Sequence, residues 1–196
     1  MNKLENSIKS SLNKNEVKEQ LMKEKKSSLM EWVRFGLFLL FLVIVIPRCI
    51  GLTNVSGFSM LPTLQDGNWV LEEKVSKYFN EPNIGDVVTI NEPQHGYKII
   101  KRVMGLPGDT VEIKEGVIYV NQTPIPEITT EGVSVDMVAV TIPDEHIFVV
   151  GDNRTAGESI DSRDSSVGPI HMDNLEGYVV FSLKPFQSIP KPISLD

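Results

Sequence analysis

Cysteine is almost absent from this chain, which has one, Cys49, among 196 residues. An intrachain disulfide is therefore excluded, and the fold depends on the packing of its core. The three histidines, His95, His146 and His171, are scattered along the sequence. The clusters of cysteine and histidine that form metal sites are thus missing, as are a glycine-rich phosphate loop and internal repeats. The sequence predicts neither a metal site nor a cofactor.

Positive charge is scarce in most of the chain. Residues 1–34 hold eight Lys/Arg against five Asp/Glu, whereas residues 35–196 hold eleven against twenty-one. The larger part therefore carries a net charge of −10, which argues against nucleic acid as a partner. The composition, 41% hydrophobic and 23% charged, is that of a single globular domain.

One long hydrophobic run interrupts this ordinary composition. Phe35–Ile46 is apolar throughout, and the stretch can extend from Met30 to Leu52 if Arg34 and Arg48 reach toward opposite interfaces. As a helix, the longer stretch spans the roughly 30 Å of a bilayer core, whereas the twelve-residue run alone does not. A helix buried in a soluble core is the alternative, but a run of this length without a polar face suits lipid better.

The residues after the run bear on whether it is removed as a signal. No small-residue cleavage site follows Ile46, and Arg48 directly before Cys49 is a poor lipoprotein signal. An uncleaved signal anchor over residues 31–52 is therefore predicted. The basic bias of the N-terminal segment places residues 1–30 in the cytoplasm and residues 53–196 on the extracytoplasmic face.

Beyond residue 52 the sequence predicts a mostly β domain. Short apolar segments alternate with glycine, proline, asparagine and aspartate, and no long helical period occurs. The tail Pro185–Asp196 contains three prolines and is expected to run over the surface. The predicted strands are Asn68–Leu71, Val87–Ile90, Tyr97–Met104, Thr110–Ile113, Val117–Val120, Val133–Ile142, His146–Val150 and Tyr178–Leu183.

One lysine lies within an apolar strand. In Tyr97–Met104 the side chain of Lys101 shares a face with Ile99 and Val103, because strand residues alternate sides. Desolvation would lower the pKa of this amine, although a lysine on its own more often reaches solvent. A shift from about 10.4 to about 8 costs roughly 3 kcal/mol, so such a site must be dry and well packed.

A serine in a glycine- and proline-punctuated turn gives this lysine a partner. Ser59 follows Gly57-Phe58 and precedes Met60-Leu61-Pro62-Thr63-Leu64. A serine hydroxyl needs a base to become a nucleophile, and a neutral lysine can act as that base. The backbone N–H of Ser59 is a candidate donor to a developing oxyanion. A serine in such a turn is often purely structural, so the prediction depends on its pairing with Lys101.

A third segment, residues 151–163, is dense in small and charged side chains. It begins Gly151-Asp152-Asn153-Arg154 and includes Ser159, Asp161 and Arg163. Asp161 and Arg163 are expected to hold each other and to support neighbouring strands. On its own, the segment could equally be a solvated loop.

Together these segments resemble the type I signal peptidases, membrane-anchored Ser–Lys proteases. The resemblance is carried by Ser59-Met60-Leu61-Pro62-Thr63-Leu64, Gly85-Asp86-Val87-Val88, Lys101–Asp109, and Gly151-Asp152-Asn153-Arg154 with Ser159-x-Asp161-Ser162-Arg163. It covers the chain from the apolar run to Phe186. The small size and single anchor resemble the Gram-positive members.

The resemblance implies a fold, a reaction and a set of site residues. The fold would be two antiparallel sheets with an apolar surface resting on the lipid bilayer, without metal or cofactor. The substrate would be the signal peptide of an exported preprotein, bound as an extended strand and cut after an Ala-x-Ala-like sequence. Ser59 would be the nucleophile, Lys101 the general base, Ser159 a residue that orients the lysine, and Asp161 and Arg163 structural supports. The small-residue pocket would be lined by Val55, Met60, Leu64, Ile99 and Ile100.

Two positions depart from the family pattern, and the second of them, the spacing before Ser159, is the only support for a non-catalytic alternative. Gly57 stands where some members have a serine that helps bind the oxyanion, and four residues separate Arg154 from Ser159 where two are usual. A Ser–Lys peptidase with one narrow task is one alternative. The other is a pseudo-peptidase that binds signal peptides without cutting them.

Overall fold

The N-terminal part of the structure is a single apolar helix. The computed structural model describes Lys18, Glu19, Met22 and residues 30–92, 96–126 and 129–190, so most of the predicted cytoplasmic tail lies outside the described residues. Helix α1, Met30–Cys49, is long and apolar enough to cross a membrane. The predicted segment ran to Leu52, whereas Ile50 begins a strand, because its backbone pairs with that of Glu73.

The chain divides into two units, Met1–Pro47 and Arg48–Asp196, of which the second is mostly β as predicted. Its larger sheet is antiparallel, with the order β1-β2-β11-β3-β4-β9-β10, and β12 pairs with β11. The strands are β1 (Ile50–Asn54), β2 (Trp69–Glu73), β3 (Val87–Asn91), β4 (Lys98–Gly105), β9 (His146–Val150), β10 (Ile170–His171), β11 (Leu175–Leu183) and β12 (Phe186–Ser188).

The smaller sheet has the order β7-β6-β5-β8 and is also antiparallel. The hairpin predicted between its central strands forms, and Glu115 and Gly116 both have the positive φ of a type I′ turn. Among the described residues the second unit has two short 3₁₀ helices, Ser76–Tyr78 and Met172–Asn174. The strands are β5 (Thr110–Lys114), β6 (Val117–Val120), β7 (Thr123–Pro124) and β8 (Met137–Thr141).

Four strands were missed by sequence reasoning, and each lacks an ordinary strand signal. β7 follows Asn121 and Gln122, which turn the chain with positive φ although neither is glycine. β10 has two residues, and β1 was assigned to the membrane segment. β12 lies in the predicted surface tail and is exposed, as expected, but it also pairs with β11, and Phe186 packs edge-on against Phe181 with ring centroids 4.4 Å apart.

One predicted strand was too long. The prediction gave residues 133–142, but only Met137–Thr141 forms β8. Just before it, the Asp136 carboxylate accepts a hydrogen bond from Gly116 N at 3.1 Å, so this residue closes the β5–β6 turn instead of extending the sheet.

β4 is the strand on which the core and the site meet. From Ile100 to Gly105 every residue is buried, so both faces of the strand are covered. One face contributes Ile100 to a cluster with Val55, Met60 and Leu64, and the other contributes Val103 to a second cluster. A third cluster fills the space between the smaller sheet and the ends of β4 and β9. A charged side chain on β4 is therefore held in apolar surroundings.

Candidate active site

Lys101 lies in the middle of β4, and its amine reaches the turn that carries Ser59. The residue is 3% exposed, and Lys101 Nζ is 2.7 Å from Ser59 Oγ. The distance is that of a hydrogen bond whose direction depends on the proton: the ammonium donates to the hydroxyl, and the neutral amine accepts from it. The structure thus brings together the two residues that the sequence paired across 41 intervening positions.

Burial changes the proton affinity of this lysine. Desolvation lowers the pKa of Lys101 from 10.5 to about 8, the charge of Asp161 acts in the opposite direction, and that of Arg163 adds to the lowering. A substantial share of the Lys101 side chains is therefore neutral at mildly alkaline pH. The neutral amine is the form that can remove a proton from Ser59.

The turn before Ser59 is fixed by the segment that follows β9. Asn153 N donates to Ser59 O at 3.0 Å, and Asn153 Nδ2 donates to Phe58 O at 3.2 Å. Gly57 takes φ +101°, a conformation that favours glycine, and its N–H donates to Asp66 Oδ1 at 2.9 Å. The position therefore suits glycine for a backbone reason, where some members of the resembled family have serine.

The backbone N–H of Ser59 is available at the site. Within the described part of the chain it donates to no other atom. The two residues before it are held, since Phe58 O accepts from Leu61 N and Gly57 N donates to Asp66 Oδ1. A preorganised N–H without a partner beside a nucleophile is the arrangement that stabilises an oxyanion.

Asp161 and Arg163 form the ion pair expected from the sequence. Arg163 Nε donates to Asp161 Oδ1 at 2.9 Å and Nη2 donates to Oδ2 at 2.8 Å, while Gly151 N donates to Oδ2 at 2.9 Å. Burial acts to raise the pKa of Asp161, but the hydrogen bonds and charge of Arg163 outweigh it, so this pKa lies below the usual value. The carboxylate is thus ionised at neutral pH and ties the 151–163 segment to the end of β9.

Ser159 reaches the site but does not contact the lysine as expected. Its hydroxyl donates to Asp161 Oδ2 at 2.6 Å and makes no hydrogen bond to Lys101 within the described residues. The expected orientation of Lys101 by Ser159 is therefore not formed in this structure. Because Asp161 carries a full negative charge, it is a strong acceptor for the hydroxyl.

A second ion pair was missed as part of the site. Arg102 Nε donates to Asp152 Oδ1 at 2.7 Å and Nη2 donates to Oδ2 at 2.6 Å, and the Thr63 hydroxyl donates to the same carboxylate at 2.5 Å. All three residues are buried. The pair joins β4, the serine turn and the segment after β9, one residue from Lys101 and one from Asn153. The signal was present in the sequence, since Arg102 and Asp152 lie in the segments that carried the resemblance.

A cavity of about 330 Å³ opens beside Ser59 and Lys101. Four of the five residues predicted for the substrate pocket line it: Val55, Met60, Ile99 and Ile100. Leu64 does not; it is fully buried and packs behind Met60 and Val55. Lining residues that sequence reasoning missed are Thr53, Asn54, Ser56, Tyr97 and Lys98.

Comparison with known proteins shows which family this chain belongs to. The family model described as signal peptidase, peptidase S26, matches residues 29–184. The chain belongs to the signal peptidase family. The match begins beside α1 and ends after β11, so it takes in the helix and nearly all of the β unit.

Two curated relatives support the same assignment. The chain is 34% identical over 185 residues to signal peptidase I of Bacillus licheniformis, covering 88% of this chain and 98% of the relative. It is 38% identical over 137 residues to probable signal peptidase I-1 of Synechocystis, covering 65% and 67% of the two chains. A crystal structure of a signal peptidase I from Enterococcus faecalis is 27% identical, with a TM-score of 0.44 and coverage of 51% of this chain and 97% of that one.

Proposed function

We propose that this membrane-bound signal peptidase, a serine endopeptidase, cleaves signal peptides from exported preproteins by means of a Ser59–Lys101 dyad. The observation that carries the proposal is the 2.7 Å approach of Lys101 Nζ to Ser59 Oγ at a site where the amine is 3% exposed and its pKa is lowered to about 8.

The reaction begins with transfer of the Ser59 proton to the neutral Lys101 amine. Ser59 Oγ attacks the scissile carbonyl, and the oxyanion accepts a hydrogen bond from Ser59 N–H. The Lys101 ammonium then gives its proton to the leaving amine, which departs with the mature protein. Deacylation repeats the cycle, with Lys101 now removing a proton from water.

The cavity supports a preference for small side chains. Val55, Met60 and Ile100 form apolar parts of its walls. The side chains of Met60 and Ile100 are buried, so close packing limits how far they can move to admit a larger substrate side chain. The proposed substrate lies along this cavity as an extended strand, with alanine at the first and third positions before the cut.

The position of the site favours a membrane-surface reaction. Phe58 and Ile160, next to the nucleophile turn and Ser159, are 56% and 49% exposed. Exposed apolar side chains beside a reaction centre suit the lipid interface. In the proposed topology α1 spans the cytoplasmic membrane, with the N-terminus inside the cell and the β unit on the extracytoplasmic face.

The decisive experiment uses the full chain in detergent with a preprotein that carries Ala-x-Ala before its mature start. We expect wild type to cut after the second alanine, Ser59→Ala to form no product, and Lys101→Ala to lose at least about 10²-fold in kcat/KM, as for removal of a general base. Thermal unfolding of each variant provides the folding control. Product from folded Lys101→Ala at the wild-type rate would contradict the dyad.

A panel of unrelated preproteins tests the alternatives. Cleavage of most of them agrees with the proposal, whereas cleavage of only one would indicate a narrow-task peptidase. Binding of signal peptides without product, by a folded wild-type chain, would indicate a pseudo-peptidase.

A further inference from the structure

A basic pocket lies where the chain leaves helix α1. The pocket has a volume of about 260 Å³, and its walls include Arg48, Lys74 and Lys77. Residues 35–196 carry a net charge of −10, so three cations around one cavity stand out against an acidic unit. Such a local excess of one sign marks a site for an oppositely charged ligand.

The two acidic side chains in the pocket do not cancel this charge. Glu176 Oε2 accepts from Lys98 Nζ at 2.8 Å, so a fourth cation, which lies outside the lining, is paired with it. The Asp173 side chain is 92% exposed and lies 3.5 Å from His171 Nδ1. With Lys98 and the buried Glu72 beside Lys74 both counted, four cations face three carboxylates, so the pocket keeps a net positive charge.

The lysines retain hydrogen-bond donors for a ligand. Lys77 Nζ donates to Leu175 O at 2.8 Å, which uses one of its three N–H groups. Lys74 Nζ is 3.7 Å from the buried carboxylate of Glu72, beyond hydrogen-bond distance, and donates to no atom among the residues that the structure describes. Phosphate oxygens are suitable acceptors for both ammonium groups.

Backbone contacts fix the depth of the pocket relative to the end of α1. Lys74 N donates to the carbonyl of Cys49, the last residue of the helix, at 2.9 Å. Arg48 is the residue before Cys49, and the amine of Lys74 lies over Gly51, the second residue of β1. All of these residues belong to the second unit. The pocket thus adjoins Arg48 and Cys49, the last two residues of α1, and the ends of membrane-crossing helices lie near the lipid headgroups.

Two exposed aromatic side chains extend the same surface. Tyr78 lines the pocket and is 73% exposed, and Phe79 next to it is 79% exposed. Lys77 Nζ lies 5.2 Å from the centroid of the Tyr78 ring. Aromatic rings together with lysine and arginine at a helix end are typical of the membrane interface.

We propose that Arg48, Lys74 and Lys77 form a binding site for the headgroup of an anionic phospholipid. The phosphate would be held by the three cations, and the amides of Asn91 and Asn174, which also line the pocket, would meet the headgroup hydroxyls. This site is separate from the Ser59–Lys101 cavity and goes beyond the proposed function, since it would bind a lipid headgroup instead of the preprotein.

Lipid retention by the full chain tests this proposal without measuring cleavage. The protein in a neutral detergent is titrated with phosphatidylglycerol or phosphatidylcholine and examined by native mass spectrometry. We expect one phosphatidylglycerol, and no phosphatidylcholine, to remain bound. Lys74→Gln/Lys77→Gln should lower the affinity about 30-fold, because each basic residue near an anionic headgroup contributes roughly a factor of five.

Matched variants separate the site from total charge and from folding. Lys74→Arg/Lys77→Arg should keep the lipid, and Lys114→Gln/Lys184→Gln, which removes two cations elsewhere, should keep it as well. Equal retention of the two lipids, or equal loss in the two glutamine double variants, would overturn the proposal. So would displacement of the lipid by inorganic phosphate at the same concentration, which would assign the pocket to a free anion.

Discussion

At the scale of single residues, the proposed reaction depends on pH through the protonation of one buried amine, that of Lys101. Its pKa is lowered to about 8, chiefly by desolvation. The apolar neighbours on its face of β4 indicated this from the sequence, because strand alternation places them beside it. The effects of Asp161 and Arg163 on this pKa could not be predicted from the sequence, because their charges act on the amine from a segment about sixty residues away.

We expect kcat/KM to rise with pH up to about 8 and then to level, because only the neutral amine can accept the serine proton. The measurement is a pH profile with a preprotein substrate, corrected for substrate ionisation. An activity that falls as the pH is raised from 6 to 8 would contradict Lys101 as the base.

The same pKa predicts a stability effect. Between about pH 8 and 10.5 the unfolded chain binds a proton at Lys101 that the folded chain lacks, so this residue's contribution to the free energy of unfolding rises with pH across that window. Urea denaturation should show this rise in wild type, and Lys101→Met should lack it.

A substitution at Asp161 distinguishes its electrostatic effect on Lys101 from its structural role as the partner of Arg163. Asp161→Asn leaves the largely buried Arg163 without its partner, so we expect a loss of roughly 3–5 kcal/mol in stability. It also removes the negative charge that favours the Lys101 ammonium, so the acid limb of the pH profile should move to lower pH. An unchanged profile in the folded variant would show that Asp161 acts through packing alone.

At the scale of elements, the site depends on close approach between β9 and the serine turn. A Cβ on Gly151, just after β9, would overlap both Ser59 O and Ser159 Oγ. A Cβ on Gly105, at the end of β4, would instead meet the side-chain ends of Ile142 and Val111 in the core. The two glycines therefore form a matched pair for separating site geometry from packing.

We expect Gly151→Ala to lose most of its turnover, since the backbone of the nucleophile must move to admit the methyl group. Gly105→Ala should be destabilised by about 1–3 kcal/mol by overpacking but should keep its activity per folded molecule. Single-turnover cleavage and urea denaturation measure the two effects. Comparable turnover in the two folded variants would contradict the role given to Gly151.

The supporting ion pairs also belong to this scale. Arg102 with Asp152 joins β4 to the segment after β9, whereas Arg163 with Asp161 lies within that segment; both pairs form fork-shaped hydrogen bonds. The second pair was predicted because its members are two residues apart. The first was not, since Arg102 and Asp152 are fifty positions apart and are neighbours only because β4 pairs with β9.

At the scale of the whole molecule, the proposed function requires the β unit to face the side of the membrane from which signal peptides are removed. The single native cysteine, Cys49, makes this simple to test. In a Cys49→Ala background, an impermeant thiol reagent should label Ser165→Cys in intact protoplasts. It should label Ser7→Cys only after the membrane is opened. The reverse pattern would contradict the orientation.

Local sequence determined much of this protein. The apolar run predicted helix α1, and the alternation of apolar and polar residues predicted the central strands. The serine and lysine segments identified the proposed reacting pair. These are properties of neighbouring residues, so they can be read without knowing the fold.

Only the tertiary structure decided which distant groups meet. It placed Ser159 on Asp161 rather than on Lys101, moved Leu64 behind the pocket, and paired Phe186 with Phe181 in a segment that reads as a tail. It also gathered Arg48, Lys74 and Lys77 around one cavity. Hydrogen bonds and burial depend on distances in three dimensions. The strand register that brings residues fifty positions apart into contact cannot be deduced from the residues next to each of them in the sequence.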